Sequence, residues 1–218
     1  MSTFGFRKAS DLPNLIPLFP LSGAIMFPRS ALPLNVFEPR YLNMVDDALA
    51  SDRLIGIVQP AIKGAEDNVD GLSRVGTIGK ITTFTETDDG RYLITLMGIC
   101  RFEIEEELPL EGPYRRAQVD FEPFEDDLRA PLAIGIERER LRRTLSSYAR
   151  RFRFEIDWNA VDGASDEDVV NAAAILCPFD AAAKQALLEA DQIEERCDLL
   201  MALLEFGQDT PGADGRLQ

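Results

Sequence analysis

Apolar spacing changes once along this chain, near Glu125-Asp126-Asp127, and divides it into a strand-patterned first part and a helix-patterned second part. Short apolar runs at 15–21 and 31–37 are interrupted by prolines, which suits edge or bulged strands because proline cannot donate to a ladder. Pro39 then stands where the first turn of a helix tolerates it. Tyr41, Met44, Val45, Ala48 and Leu49 follow on one helical face, predicting a helix over 39–50. Segments 53–59, 74–87, 91–106 and 114–121 are rich in β-branched and aromatic residues. The turn residues Asp88-Asp89-Gly90 make the middle pair a hairpin. No helical pattern separates these later strands, so the sheet is expected to be mostly antiparallel and barrel-like, not built of βαβ units.

From residue 128 the pattern is helical. Leu141, Leu145, Tyr148 and Phe152 form a core-facing stripe. Ser165 caps a helix over 166–177 that Pro178 closes, Asp180 caps another running to Glu189, and Asp191 with Glu194 opens a last one ending at Gly207. The expected organisation is α+β: a β lobe over 15–125, a helical bundle lobe over 126–206, and polar, disordered ends at 1–14 and 207–218. With 45% hydrophobic residues among 218, the chain can bury a sizeable core.

The composition excludes much chemistry. Histidine is absent, which removes imidazole bases, Ser-His and Cys-His nucleophile pairs and imidazole metal sites together. Cys100, Cys177 and Cys197 are odd in number and widely spaced, fitting a reducing compartment and inert, buried thiols. A formal charge of −15 opposes binding to DNA, RNA or anionic membranes. The N-terminus carries no signal-peptide core and no segment is long enough to span a membrane, so a cytoplasmic location is expected. Gly76 to Lys80 lacks the spacing of a phosphate loop and reads as a strand glycine pair beside a sheet edge. Glu103, Glu105, Glu106 and Glu107 read as a solvated strand face, not a metal cluster. Neither catalytic residues, cofactor nor metal are expected. Seven arginines between Arg138 and Arg153 form the one basic stretch; they either grip an acidic partner or pair internally with Glu122, Glu125, Asp126 and Asp127.

An ordered set of residues then stands out: Ile16-Pro17-Leu18-Phe19-Pro20-Leu21, Phe27-Pro28, Leu32-Pro33-Leu34 and Phe37-Glu38-Pro39-Arg40-Tyr41, followed by Val75-Gly76-Thr77-Ile78 and Gly98-Ile99-Cys100-Arg101-Phe102. Lys184-Gln185, Leu187-Leu188-Glu189, Glu195-Arg196 and Leu199-Leu200 continue it. The succession, over residues 15–206, resembles the substrate-binding domain of the Lon protease family, in its short stand-alone form without ATPase or protease modules. The resemblance implies a PUA-like pseudobarrel carrying one helix, and a non-catalytic module that recognises unfolded or partly folded polypeptide, as an adaptor or holdase, with a protease or chaperone as a further partner. RNA binding through the PUA-like lobe, and an unrecognised hydrolase using carboxylates or Lys80, are the alternatives. The expected peptide site is a groove lined by Met26, Phe27, Pro28, Pro39, Arg40 and Tyr41. In the plainer reading Phe37 and Tyr41 anchor the core and Glu38 or Arg40 pairs inside the lobe, with Arg101 as a candidate partner. Phe37, Glu38, Gly98 and Arg101 then serve as a structural signature.

Overall fold

The computed structural model describes residues 4–61, 68–69, 71–129 and 135–209. The strands are β1 (Leu15–Pro20), β2 (Ala31–Val36), β3 (Leu54–Val58), the two-residue β4 (Asn68–Val69) and β5 (Leu72–Ser73), β6 (Val75–Glu86), β7 (Tyr92–Glu107) and β8 (Arg115–Asp120). The helices are α1 (Pro39–Leu49), α2 (Arg138–Phe152), α3 (Trp158–Gly163), α4 (Asp166–Leu176), α5 (Ala181–Glu189) and α6 (Ile193–Asp209). The chain divides into two compact units, Met1–Pro131 with Pro178–Glu189, and Leu132–Cys177 with Ala190–Gln218.

In the first unit the sheet runs β2-β7-β6-β3-β1-β8, and β7 returns to pair with β8. Only β1 and β3 pair in parallel; the other pairings of this sheet are antiparallel, as the strand-rich pattern predicts. Strand β7 makes the closure possible because it is sixteen residues long. Its beginning pairs with β2 from Tyr92 to Met97, and its end pairs with β8 from Glu103 to Glu107. Register shifts at Ile78/Gly79 and Ile104/Glu106 bend it between those partners, as bulges do. The circuit β7-β6-β3-β1-β8 therefore closes, and β2 is left outside it with one edge unpaired by any strand among the described residues.

Helix α1 lays Tyr41, Met44, Val45 and Ala48 onto Ile55, Ile57, Ile81, Ile94 and Leu96, so the apolar face read from the sequence is the buried one. The glycines of β6 serve close packing. A Cβ on Gly76 would lie 2.5 Å from the Phe102 ring, and both Gly76 and Gly79 sit between β3 and β7, in the interior of the sheet and not beside its edge.

Buried polar residues attach α5 to this unit. Arg101, only 4% exposed, forks onto Asp127 through Nε (2.9 Å) and Nη2 (3.1 Å), while its backbone N–H donates to the same carboxylate. Its Nη1 donates to the Leu188 carbonyl at 3.1 Å, and its guanidinium lies 4.5 Å from the centre of the Phe124 ring. Gln59 donates to the Ala181 carbonyl and to Gln185 Oε1, each at 3.0 Å, and Gln185 donates to the Val75 carbonyl at 3.0 Å. Segment 178–189, expected within the helical lobe, thus belongs with the sheet. An apolar helical stripe states that a face is buried, not which partner buries it.

Residues 4–14 also depart from expectation. A 3₁₀ turn spans Ala9–Asp11, the Asp11 carboxylate accepts from the Arg7 and Lys8 N–H groups (2.9 and 3.2 Å), and the Ala9 N–H reaches Glu125 Oε2 at 3.0 Å. Leu12 is buried. Polar composition suggested disorder, but Asp11 orders the turn locally and the Ala9 bond to Glu125, far along the chain, ties it down. Residues 210–218 of the expected tail lie outside the described residues, and α6 runs two residues past Gly207.

The second unit packs α6 against α2 and α4, burying Leu141, Leu145, Tyr148, Val170, Ala174, Leu200 and Leu204. Ser165 caps α4 by accepting from the Asp168 N–H, as expected. Phe152 does not join the core: it is 43% exposed, its ring 4.3 Å from that of Tyr148 at the end of the stripe. The short α3, not foreseen in the sequence, starts at Asp157, whose carboxylate accepts from the N–H groups of Asn159 and Ala160.

Asp127→Asn should cost about 3–5 kcal/mol in urea unfolding, because it leaves a buried guanidinium uncompensated. The double replacement Arg101→Met with Asp127→Leu should recover much of that loss, since it removes both charges together.

Candidate functional site

The chemistry of β2 begins with its register. Gly98 N–H donates to the Ser30 carbonyl (2.9 Å) and Arg29 N–H to the Gly98 carbonyl (2.8 Å). Continuing in steps of two, Leu32/Leu96, Leu34/Ile94 and Val36/Tyr92 are the hydrogen-bonded pairs. The backbone groups of Ala31, Pro33 and Asn35 consequently point away from β7, toward the unpaired edge. Pro33 lies at one of those outward positions, where its missing N–H takes nothing from the ladder.

Side-chain alternation places Ala31, Pro33 and Asn35 on the outer face of the same ribbon, opposite Met97, Thr95 and Leu93. Leu93 is 44% exposed and Phe37, just past the strand, is 62% exposed. An apolar outer face and an open backbone edge therefore occur together at β2. Beside them, Arg40 forms an exposed ion pair with Glu38 at 2.8 Å, and its guanidinium covers the Tyr41 ring at 4.5 Å. Tyr41 itself is buried, 4.3 Å from the Phe19 ring, and burial raises its phenol pKa.

The structure separates the residues that the sequence grouped. Met26, Phe27 and Pro28 are buried and line no open groove. The turn 27–30 is clamped shut: Ser30 Oγ donates to the Phe27 carbonyl (2.7 Å) and accepts from the Phe27 N–H (2.9 Å). Gly98 is its seat, since a Cβ there would come 2.1 Å from the Phe27 carbonyl oxygen. Pro39 and Arg40 are exposed at the start of α1. Phe37, expected as a core anchor, points to solvent instead. Glu38 and Arg40 pair with one another and Arg101 with Asp127, so the anticipated link to Arg101 does not form. The outer face was legible as alternation around Pro33, but its exposure depended on knowing that β2 ends the sheet.

Three arginines of the basic stretch pair within the second unit. Arg138 meets Asp166, Arg140 meets Glu205 at 2.9 Å, and Arg142 meets Asp162 at 2.5 Å. The acidic residues proposed as its partners bind elsewhere: Asp127 to Arg101, and Glu125 and Asp126 to Arg129. Among the described residues no group of three His, Cys, Asp or Glu side chains is placed to hold a metal. Among them, too, no helix is long and apolar enough to cross a membrane. The three thiols are buried, and burial raises the pKa of Cys100 and Cys197.

A family model described as the ATP-dependent protease La (LON) substrate-binding domain matches residues 15–205. The chain belongs to the Lon substrate-binding domain family. Within that family it is similar to Lon protease 2 of Myxococcus xanthus (31% identity, 55% of this chain, 14% of that protein). It is also similar to the Lon proteases of Dictyoglomus thermophilum (26% identity, 87% and 24%) and Parabacteroides distasonis (28% identity, 93% and 24%). The chain thus spans between 14% and 24% of the length of these relatives. The fold agrees with the N-terminal domain of Mycobacterium avium complex Lon protease (TM-score 0.61, 17% identity, 88% of this chain and 98% of that one). It agrees also with a Lon N-terminal domain protein from Xanthomonas campestris (TM-score 0.59, 22% identity, 86% and 97%). The family match is to the substrate-binding domain, not to the ATPase or protease domains.

Met26→Ala should cost about 2–5 kcal/mol in chemical denaturation, whereas Phe37→Ala should change stability by less than about 0.5 kcal/mol. A large cost at Phe37 would return it to the core.

Proposed function

We propose that this domain binds extended, apolar polypeptide segments without acting on them chemically, as an adaptor or holdase, and that the outer edge and outer face of β2 are where it does so. Membership of a substrate-binding family supports the class of partner. The carrying observation is the coincidence at β2 of outward backbone groups at Ala31 and Asn35 with the exposed side chains of Phe37 and Leu93. Strand addition uses both, since main-chain hydrogen bonds supply affinity and alternate side chains supply selection. An unfolded segment has both to offer, whereas a folded surface presents few free main-chain groups.

The binding step requires little rearrangement. Residues 32, 34 and 36 already satisfy β7, so an incoming strand competes with no existing ladder bond. Pro33 limits the edge to a short register and discourages indefinite pairing between copies, a role proline plays on natural sheet edges.

Titration with an extended apolar peptide, followed by amide shifts, should perturb Ala31 to Asn35 and Leu93 first. Asn35→Pro removes an outward N–H while leaving the β2–β7 ladder whole, and should weaken binding about tenfold, near the value of one hydrogen bond. Phe37→Ser should weaken it further. Unchanged amide positions at millimolar peptide, or full affinity in Asn35→Pro, would reject the reading.

A further inference from the structure

The end of α2 builds a second feature that the β2 surface leaves unused. Arg153 takes a left-handed conformation (φ 58°), which stops the helix and turns the following residues back along it. The Phe154 N–H bonds to the Ala149 carbonyl at 3.1 Å and fixes that turn. Between the helix and the returning segment lies an open cleft of about 400 Å³, lined by Ser146, Ala149, Arg150, Phe154, Ile156 and Trp158. Glu155 adds its one carboxylate. The Arg142 guanidinium lies 4.7 Å from the centre of the Trp158 ring and is itself tied to Asp162, so the indole is held in place.

Arg150 lines this cleft, and together with Arg143, one heptad before it on the helix, and Arg153, next to Phe154, it differs from the other arginines of the stretch that carry ion pairs. Arg138, Arg140 and Arg142 are committed to Asp166, Glu205 and Asp162. Arg143 and Arg150 are exposed and donate only to carbonyls of their own helix, Glu139 and Ser146, at 3.3 Å each. Arg153 is likewise exposed. Among the described residues none of these three has a carboxylate within ion-pair distance. They stand out in a chain with 38 acidic and 23 basic residues. Arg143 and Arg150 are two helical turns apart on one face, and Ser146 and Ala149 of the cleft wall lie between them.

We propose that this cleft is a binding site for an acidic polypeptide segment that carries an aromatic or branched aliphatic side chain among its carboxylates. The apolar side chain fills the space beside Phe154, Ile156 and Trp158, and flanking carboxylates take the forked donors of Arg150 and Arg143. Charge complementarity selects this occupant. Three free guanidinium groups on an otherwise acidic molecule attract a short acidic segment, while a continuous phosphate backbone would run onto the surrounding carboxylates. The inference builds on the polypeptide-binding reading but uses a different surface and its own probe.

Trp158 is the sole tryptophan, so its emission reports on the cleft alone. The test titrates the whole chain with a twelve-residue peptide of Asp and Glu alternating with Leu and Phe, and with its Lys-containing counterpart. The expected result is a saturable change in Trp158 emission with the acidic peptide only, weakened by salt and at least tenfold weaker in Arg150→Glu, an exposed substitution that leaves the fold intact. No emission change at millimolar acidic peptide overturns the proposal, as does equal affinity in Arg150→Glu. A response to single-stranded RNA with none to peptide overturns it in favour of nucleic acid. Amide shifts confined to β2 with silent Trp158 overturn this inference alone. A Trp158 response to the acidic peptide without any β2 response to the apolar one overturns the β2 reading alone.

Discussion

The Arg101–Asp127 pair is the interaction on which the first unit depends. One guanidinium, buried to 4% exposure, joins the long strand β7, the 3₁₀ segment Glu122–Leu128 and the end of α5. Each of its contacts answers the cost of burying a charge: a two-pronged carboxylate, a backbone carbonyl and an aromatic face. Such a pair adds little net stability over an apolar replacement, yet it accepts only one arrangement of three segments distant in sequence. It acts as a specifying contact. The neighbouring Gln59–Gln185 bond repeats the logic with neutral groups, again between the sheet and α5.

That arrangement determines what the surface offers. With β7 bent to close the barrel against β8, its opening residues extend past the closed circuit and carry β2 along one side only. The open edge is a by-product of closure elsewhere. A buried cluster of α1 on Ile94 and Leu96 holds the inner face of that ribbon, so its outer face is presented on a supported element and not on a loose flap. The second unit reaches a different solution, gathering its arginines on α2 and answering three of them with carboxylates from α3, α4 and α6.

Much of this was legible in the residues. Alternation and turn chemistry placed the long strands of the sheet within one or two residues, and Pro39, Ser165 and Pro178 marked helix ends because each acts on backbone groups beside it. What sequence could not supply was the identity of partners. Met26-Phe27-Pro28 looked like an exposed loop because proline and aromatics occur in binding loops. Only the approach of Gly98 to the Phe27 carbonyl shows why the turn is buried. Phe37 looked like an anchor because it is large and apolar, but its fate was set by the end of the ribbon. The exchange of α5 from one unit to the other was hidden for the same reason, since Arg101 and Leu188 are 87 positions apart.

The membership of α5 in the sheet unit bears on synthesis as well as on the finished fold. A growing chain makes every strand of the barrel by Asp120, but the Leu188 carbonyl that completes the Arg101 shell does not exist for another 68 residues. Once Asp127 has followed, and until Leu188 does, the nascent barrel holds a guanidinium whose Nη1 still lacks that carbonyl. A ribosome-bound intermediate stalled before α5 is made should therefore be a closed but under-sealed barrel, completed when the later segment packs back onto it.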